Sequence, residues 1–82
     1  MSKNFQVGIY STEQTIYEGP AVSLIVPSES GYLGILADHS AIIAKLTQGK
    51  IILRLPTGST TEIPSLAGGF LEVFKNQATL LL

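Results

Sequence analysis

Lys50-Ile51-Ile52-Leu53-Arg54-Leu55-Pro56-Thr57-Gly58-Ser59 is the stretch that decides the fold. Ile51, Leu53 and Leu55 alternate with Lys50, Ile52 and Arg54. That period of two arises when successive side chains point to opposite faces of a strand. Pro-Thr-Gly-Ser then supplies turn chemistry, a preset φ at the proline and ready access to positive φ at the glycine. Thr60 to Leu66 returns as the second arm of a hairpin.

The rhythm extends in both directions. Upstream, Phe5, Val7 and Ile9 alternate with Asn4, Gln6 and Gly8 as a half-buried strand. Ser11-Thr12-Glu13-Gln14 interrupts it, and Thr15-Ile16-Tyr17 resumes before Glu18-Gly19-Pro20 turns the chain. Ala21 to Val26 sets Val22, Leu24 and Val26 on one face and Ala21, Ser23 and Ile25 on the other. Pro27 and Ser28-Glu29-Ser30-Gly31 end that strand. Tyr32 to Leu36 is short and glycine-flanked, the mark of a bent or bulged strand. Ala41 to Leu46 fits helix or strand by pattern, and β-branched Ile42-Ile43 with Gly49 just beyond favours strand. Downstream, Phe70 to Phe74 and Ala78 to Leu82 form a hairpin around Lys75-Asn76-Gln77. No window of a dozen residues carries a helical stripe. The fold class is therefore all-β: a flattened β-sandwich or barrel of about eight to ten short strands, mostly antiparallel, in one domain over 1–82.

Composition narrows the function. The 82 residues suffice for one small core, and with no cysteine there are neither disulfides nor thiolate metal sites. A net charge of −1 and a pI near 5.6 argue against nucleic-acid binding and against an anionic-lipid patch. Hydrophobic residues reach 45% and charged residues only 13%, against about 25% charged in ordinary soluble domains. No charge-free stretch approaches the ~18 residues of a membrane span, and Met1-Ser2-Lys3-Asn4-Phe5-Gln6 lacks the apolar core of a signal peptide. The remaining explanation is a surface covered by other proteins. Ile25, Ile43, Ile52 and Leu81 sit opposite the faces assigned to the core, which marks them as candidates for that surface; the bland alternative is that some faces are misassigned.

Catalytic groups are sparse. Asp38-His39-Ser40 contains the residue types of a hydrolase triad, but consecutive side chains of an extended chain alternate faces and cannot bond nucleophile to base to acid. It reads as a polar turn in which Asp38 bonds its own backbone. One histidine and six scattered acids do not complete a zinc site. Gly31-Tyr32-Leu33-Gly34 lacks the Lys-Ser/Thr pair of a phosphate loop, and Gly68-Gly69 reads as a tight turn or bulge with positive φ. The chain is expected to be no enzyme, with no cofactor, metal or small-molecule ligand.

Four segments in register resemble one family. Glu29-Ser30-Gly31-Tyr32-Leu33-Gly34-Ile35-Leu36-Ala37-Asp38-His39-Ser40-Ala41-Ile42-Ile43 is similar to an acidic Gly-x-Leu-Gly-Ile/Val followed shortly by His-Ala/Ser-Pro/Ala-Leu-Leu. Leu46-Thr47-Gln48-Gly49-Lys50-Ile51 follows at the expected distance, and Leu66-Ala67-Gly68-Gly69-Phe70-Leu71-Glu72-Val73 resembles Ser/Ala-Gly-Gly-Phe/Ile-Leu/Val-Glu-Val. The start, Phe5 to Gly19, fits the family's strand and Glu-x-x-x-Phe/Tyr-x-Gly segment. The family is the epsilon subunit of F-type ATP synthases, equivalent to the mitochondrial delta subunit.

That resemblance implies a β-sandwich at the foot of the central stalk, a rotor part that binds the gamma subunit, rests on the c-ring and turns with both. It implies a peripheral location on the cytoplasmic face of the bacterial inner membrane, without lipid insertion. Carried over, Glu29, Ser30, Gly31, Tyr32, Asp38, His39 and Ser40 are the c-ring candidates; the resemblance puts gamma on the sandwich side without naming residues, and the outward apolar positions Ile25, Ile43, Ile52 and Leu81 are the gamma candidates. The family often carries an acid where Tyr32 stands, so Glu29 or Asp38 supplies the charge, or the contact rests on Tyr32 itself. The chain stops at Leu82, before the helical hairpin through which family members inhibit hydrolysis or bind ATP; it reads either as a naturally short subunit without a C-terminal helical domain or as a truncated chain, and its Met-Ser start with no tag remnant favours the first. The alternative function is a free-standing β-sandwich adaptor that recruits a partner at an open strand edge.

Overall fold

Nine strands form where the period-two pattern places them: β1 (Phe5–Tyr10), β2 (Thr15–Ala21), β3 (Ser23–Ser28), β4 (Gly31–Ile35), β5 (Ile42–Leu46), β6 (Gly49–Arg54), β7 (Thr60–Ser65), β8 (Gly69–Phe74) and β9 (Gln77–Leu81). The computed structural model describes residues 3–82; Met1 and Ser2, where the polar N-terminal stretch begins, lie outside the described residues. Among the described residues there is no helix.

The strands make one sheet in the order β2-β1-β9-β8-β5-β3-β6-β7, with β4 on the other edge of β3. Every pairing is antiparallel except β1 with β9, which brings the first and last strands side by side. β5 meets β3 only at Leu46↔Ser28. The sheet folds over at that joint, so β2-β1-β9-β8-β5 faces β4-β3-β6-β7. Between the layers lies a single core. Phe5, Val7, Ile9, Leu46, Leu71, Val73 and Leu80 come from the first layer, and Leu24, Val26, Ile35, Ile51, Leu53 and Ile63 from the second. Buried Ser28 and Ser65 are both satisfied, donating to the carbonyls of Gly31 (2.5 Å) and Thr47 (2.9 Å).

Two local readings change. Glu18-Gly19-Pro20 does not turn the chain; β2 runs straight through it, pairing Glu18 with Gly8, Gly19 with Val7 and Pro20 with Gln6. β2 is an edge strand, where the missing proline N–H removes no ladder bond. The chain bends one step later, at half-buried Val22, which therefore leaves the face shared by Leu24 and Val26. Pro27 likewise stays inside β3. Its carbonyl accepts from Thr47 N–H at 3.0 Å, so its edge faces the β5–β6 turn and no ladder donor is needed there. Ala41–Leu46 resolves as strand, and Lys75 and Asn76, both at positive φ (48° and 59°), make the tight β8–β9 turn.

Gly68 carries a backbone requirement that side chains cannot meet. Its φ is 86°, and a Cβ there would fall 2.6 Å from the Leu46 carbonyl oxygen at the fold-over joint. Gly68→Ala should therefore destabilise by about 1–3 kcal/mol, or several degrees to roughly 20 °C in Tm at this size. Gly34→Ala, with open space around it, is the control. Equal melting of the two variants would show that the joint does not need this glycine.

Candidate interaction surfaces

The polar turn after β4 is a latch. Asp38 sits at φ 64°, and its carboxylate accepts from Lys3 Nζ at 2.7 Å and from Asn76 Nδ2 at 3.0 Å. The Asp38 N–H in turn donates to Asn76 Oδ1 at 2.5 Å. The carboxylate thus reaches across to the β8–β9 turn instead of bonding its own backbone, as the sequence led us to expect. His39 Nδ1 donates to the Ser40 carbonyl at 2.7 Å. Among the described residues no Asp38, His39 or Ser40 side chain bonds another of the three, and no cluster of three metal-ligating side chains occurs.

The seven c-ring candidates fall into two groups. Glu29, Ser30, Gly31 and Tyr32 form the β3–β4 turn, where the Ser28 hydroxyl accepts from Ser30 N–H at 3.2 Å. Glu29 N–H donates to the Lys45 carbonyl at 3.3 Å, and the two side chains pair loosely at 3.9 Å. Exposed Tyr32 lies beside Pro27 and Gly49, its hydroxyl 3.0 Å from where a Gly49 Cβ would stand. Asp38, His39 and Ser40 lie beyond the far end of β4. Leu33 to Ala37, the first three of them in β4, separate the groups by on the order of 15 Å.

The four gamma candidates also divide. Ile25 and Ile52 face each other across β3 and β6; Ile25 is exposed at 37% and Ile52 is half-buried. Ile43 and Leu81 lie on the outer face of the other layer, 76% and 55% exposed. There they join Phe70 and Phe74, each 55% exposed, to make an apolar face across β5, β8 and β9. Two shallow grooves of about 350 and 230 Å³ run on either side of the Ile43–Glu72 pair. The first reaches Ala41, so the face continues into the turn that carries His39 and Ser40. Sequence reasoning missed Phe70 and Phe74. Their signal was available, because Leu71 and Val73 point inward and oblige their neighbours to point outward.

A family model described as "ATP synthase, Delta/Epsilon chain, beta-sandwich domain" matches residues 4–82. The chain is 38% identical over 81 residues to the ATP synthase epsilon chain of Dichelobacter nodosus, covering 99% of this chain and 56% of the relative. It is 38% identical over 82 residues to that of Leptospira interrogans, covering 99% and 63%. The chain thus spans roughly three-fifths of the curated relatives it matches. Among solved structures, a chain of the Euglena gracilis mitochondrial ATP synthase (OSCP/F1/c-ring) superposes with a TM-score of 0.88 at 18% identity, over 95% of this chain and 49% of that one. A chain of the Tetrahymena thermophila mitochondrial ATP synthase central stalk and c-ring gives 0.79 at 14%, over 98% and 63%. At those identities the likeness is one of fold.

The latch has a pH signature. The hydrogen bond from Lys3 first, then that from Asn76, holds the Asp38 carboxyl below its ordinary value of 3.8, and the same contact raises Lys3. A depressed folded-state pKa stabilises the fold above the unfolded value and loses that contribution as pH falls through the folded one. Both groups are solvent-exposed, so the effect on global stability is small. In a carboxyl titration followed by NMR, Asp38 should titrate below 3.8, and Lys3→Ala should move its midpoint up toward that value. An unmoved midpoint would mean that Lys3 does not hold the carboxylate in solution.

Proposed function

This chain belongs to the ATP synthase delta/epsilon chain β-sandwich domain family, and from that premise we propose that it serves as a non-catalytic rotor domain of an F-type ATP synthase. In this role it fastens the gamma subunit to the c-ring, so that ion-driven rotation reaches the catalytic subunits without slip. The domain would work peripherally, on the cytoplasmic face of a bacterial inner membrane.

The observation that carries this reading is the outer face of β5, β8 and β9, where Ile43, Phe70, Phe74 and Leu81 are each more than half exposed. Apolar surface concentrated in this way, on so small a domain with so few charges, calls for protein cover. We assign this face to gamma, together with the Asp38–Ser40 turn that continues it. The opposite end, Glu29 to Tyr32, is assigned to the c-ring. Ile25 and Ile52, less exposed and on the other layer, have the weaker claim.

In mechanical terms the domain transmits load through packed side chains and the hydrogen-bond ladders between its strands, and in this role it has no chemistry to perform. A contact of this kind resists torque when it buries of order 1,000 Å² with good complementarity. The adaptor alternative needs a free strand edge; β2 and β7, which end the sheet's path, carry prolines (Pro20 and Pro64) that hinder strand addition, which leaves it β4, paired among the described residues with β3 alone.

The test is binding of the purified chain to gamma, followed by reconstitution onto the c-ring. One-to-one binding to gamma that then recruits the ring is expected. Tyr32→Ala should weaken ring recruitment and His39→Ala gamma binding, with melting temperatures nearly unchanged, since neither side chain is in the core. If the chain binds neither component, this reading fails. If it binds both but the two variants lose stability and keep binding, the assignment of ends is wrong.

A further inference from the structure

Glu72 lies in the interior of the apolar face. Its cross-strand neighbours are Ile43 on β5 and Thr79 on β9, and Phe70 and Phe74 flank it along β8 on the same side. It lines both grooves. The other charges on or beside this face are occupied or marginal. Lys45 leans toward Glu29, Lys75 lies 5.3 Å from the Phe74 ring, and Glu18 accepts the Tyr10 hydroxyl at 2.6 Å. Among the described residues Glu72 forms no ion pair. Covering this face with a wholly apolar partner would strand a carboxylate without water or counter-charge, which is strongly unfavourable. The partner must therefore bring a cation to that spot.

The backbone constrains the partner's conformation. β8 is hydrogen-bonded on both edges, by β5 and β9, so its face offers side chains and no free N–H or C=O groups. A segment lying across it has to satisfy its own backbone, and a helix does so. We propose that the outer face of β5, β8 and β9 receives an α-helix whose apolar stripe is interrupted by one arginine or lysine, and that this basic group pairs with Glu72. This rests on the reading that gamma is the partner, and it gives that contact its register: the four apolar side chains supply area and Glu72 fixes where the helix sits.

The experiment measures the dissociation constant of the full chain for purified gamma, comparing the parent with Glu72→Gln, Glu72→Lys and, on the other layer, Glu62→Gln. Glu72 and Glu62 are both exposed, and a thermal melt checks that each variant is folded. Glu72→Gln should weaken binding by about 10- to 100-fold, the effect of losing a charged hydrogen-bonded pair. Glu72→Lys should weaken it further, Glu62→Gln should bind as the parent does, and the salt dependence should flatten in Glu72→Gln. Signals of Ile43, Phe70 and Phe74 should shift on binding in the parent. If the parent binds gamma while both Glu72 variants bind within twofold of it, this proposal alone is overturned. If the parent does not bind gamma at all, the rotor reading falls and this proposal falls with it.

Discussion

The architecture depends on a corner, Leu46–Thr47, where β5 ends and one layer hands over to the other. Leu46 pairs with Ser28, the sole β3–β5 register pair, and Thr47 N–H donates to the Pro27 carbonyl. Ser65 from β7 donates to the Thr47 carbonyl, and Gly68 passes so close to the Leu46 carbonyl that no side chain fits. Two segments distant in sequence, Pro27–Ser28 and Ser65–Gly68, thus converge on two peptide groups. The corner also sets the position of the Glu29 turn, through the Glu29 N–H to Lys45 carbonyl bond beside it. Were the corner to relax, the inward faces of the two layers would no longer oppose each other, and the core between them would be exposed to water.

A two-layered sheet in so short a chain has one inner face per layer and must leave the other outside. In most small domains the outer positions are polar. Here β8 is apolar on both sides, with Leu71 and Val73 inward and Phe70 and Phe74 outward. Of the eight exposed large hydrophobic side chains among the described residues, four, Ile43, Phe70, Phe74 and Leu81, are gathered on this one face. Outward residues of β6 and β7 include Lys50, Arg54 and Glu62, with Lys50 and Glu62 within 3.4 Å, so that layer is suited to water while the β5–β8–β9 layer is not.

Strand existence was legible in the sequence because period-two alternation is a direct image of the pleat, as β1 and β6 show. What the sequence hid was context. Pro20 and Pro27 read as breakers because proline removes an N–H. Whether that N–H is needed depends on whether a neighbouring strand lies alongside, and only the sheet order decides this: β2 is an edge, and β3 at Pro27 faces a turn. The grouping of site residues was hidden for a similar reason. Glu29–Tyr32 and Asp38–Ser40 are close in sequence, but an extended strand between them carries the two turns to opposite ends. Ile43 and Leu81 share a face because β8 lies between β5 and β9, and nothing local in the chain encodes that order.

The separation of the ends bears on how such a domain could carry load under the proposed role. With partners at opposite ends and one face, force passes along the strands; β8, in the middle of that face, is bonded to neighbours on both edges, while β4, which joins the two turns, is bonded to β3 alone. The turns are the compliant points, and they are the points that are braced. The Asp38 turn is tied to Asn76 on another hairpin and to Lys3, and the Glu29 turn is tied to Lys45. None of these exposed contacts adds much to global stability. Their effect is local: each removes freedom from a loop that would otherwise flex before the sheet does. Stability resides in the core, and the scarce charged side chains are spent on fixing the positions of the loops.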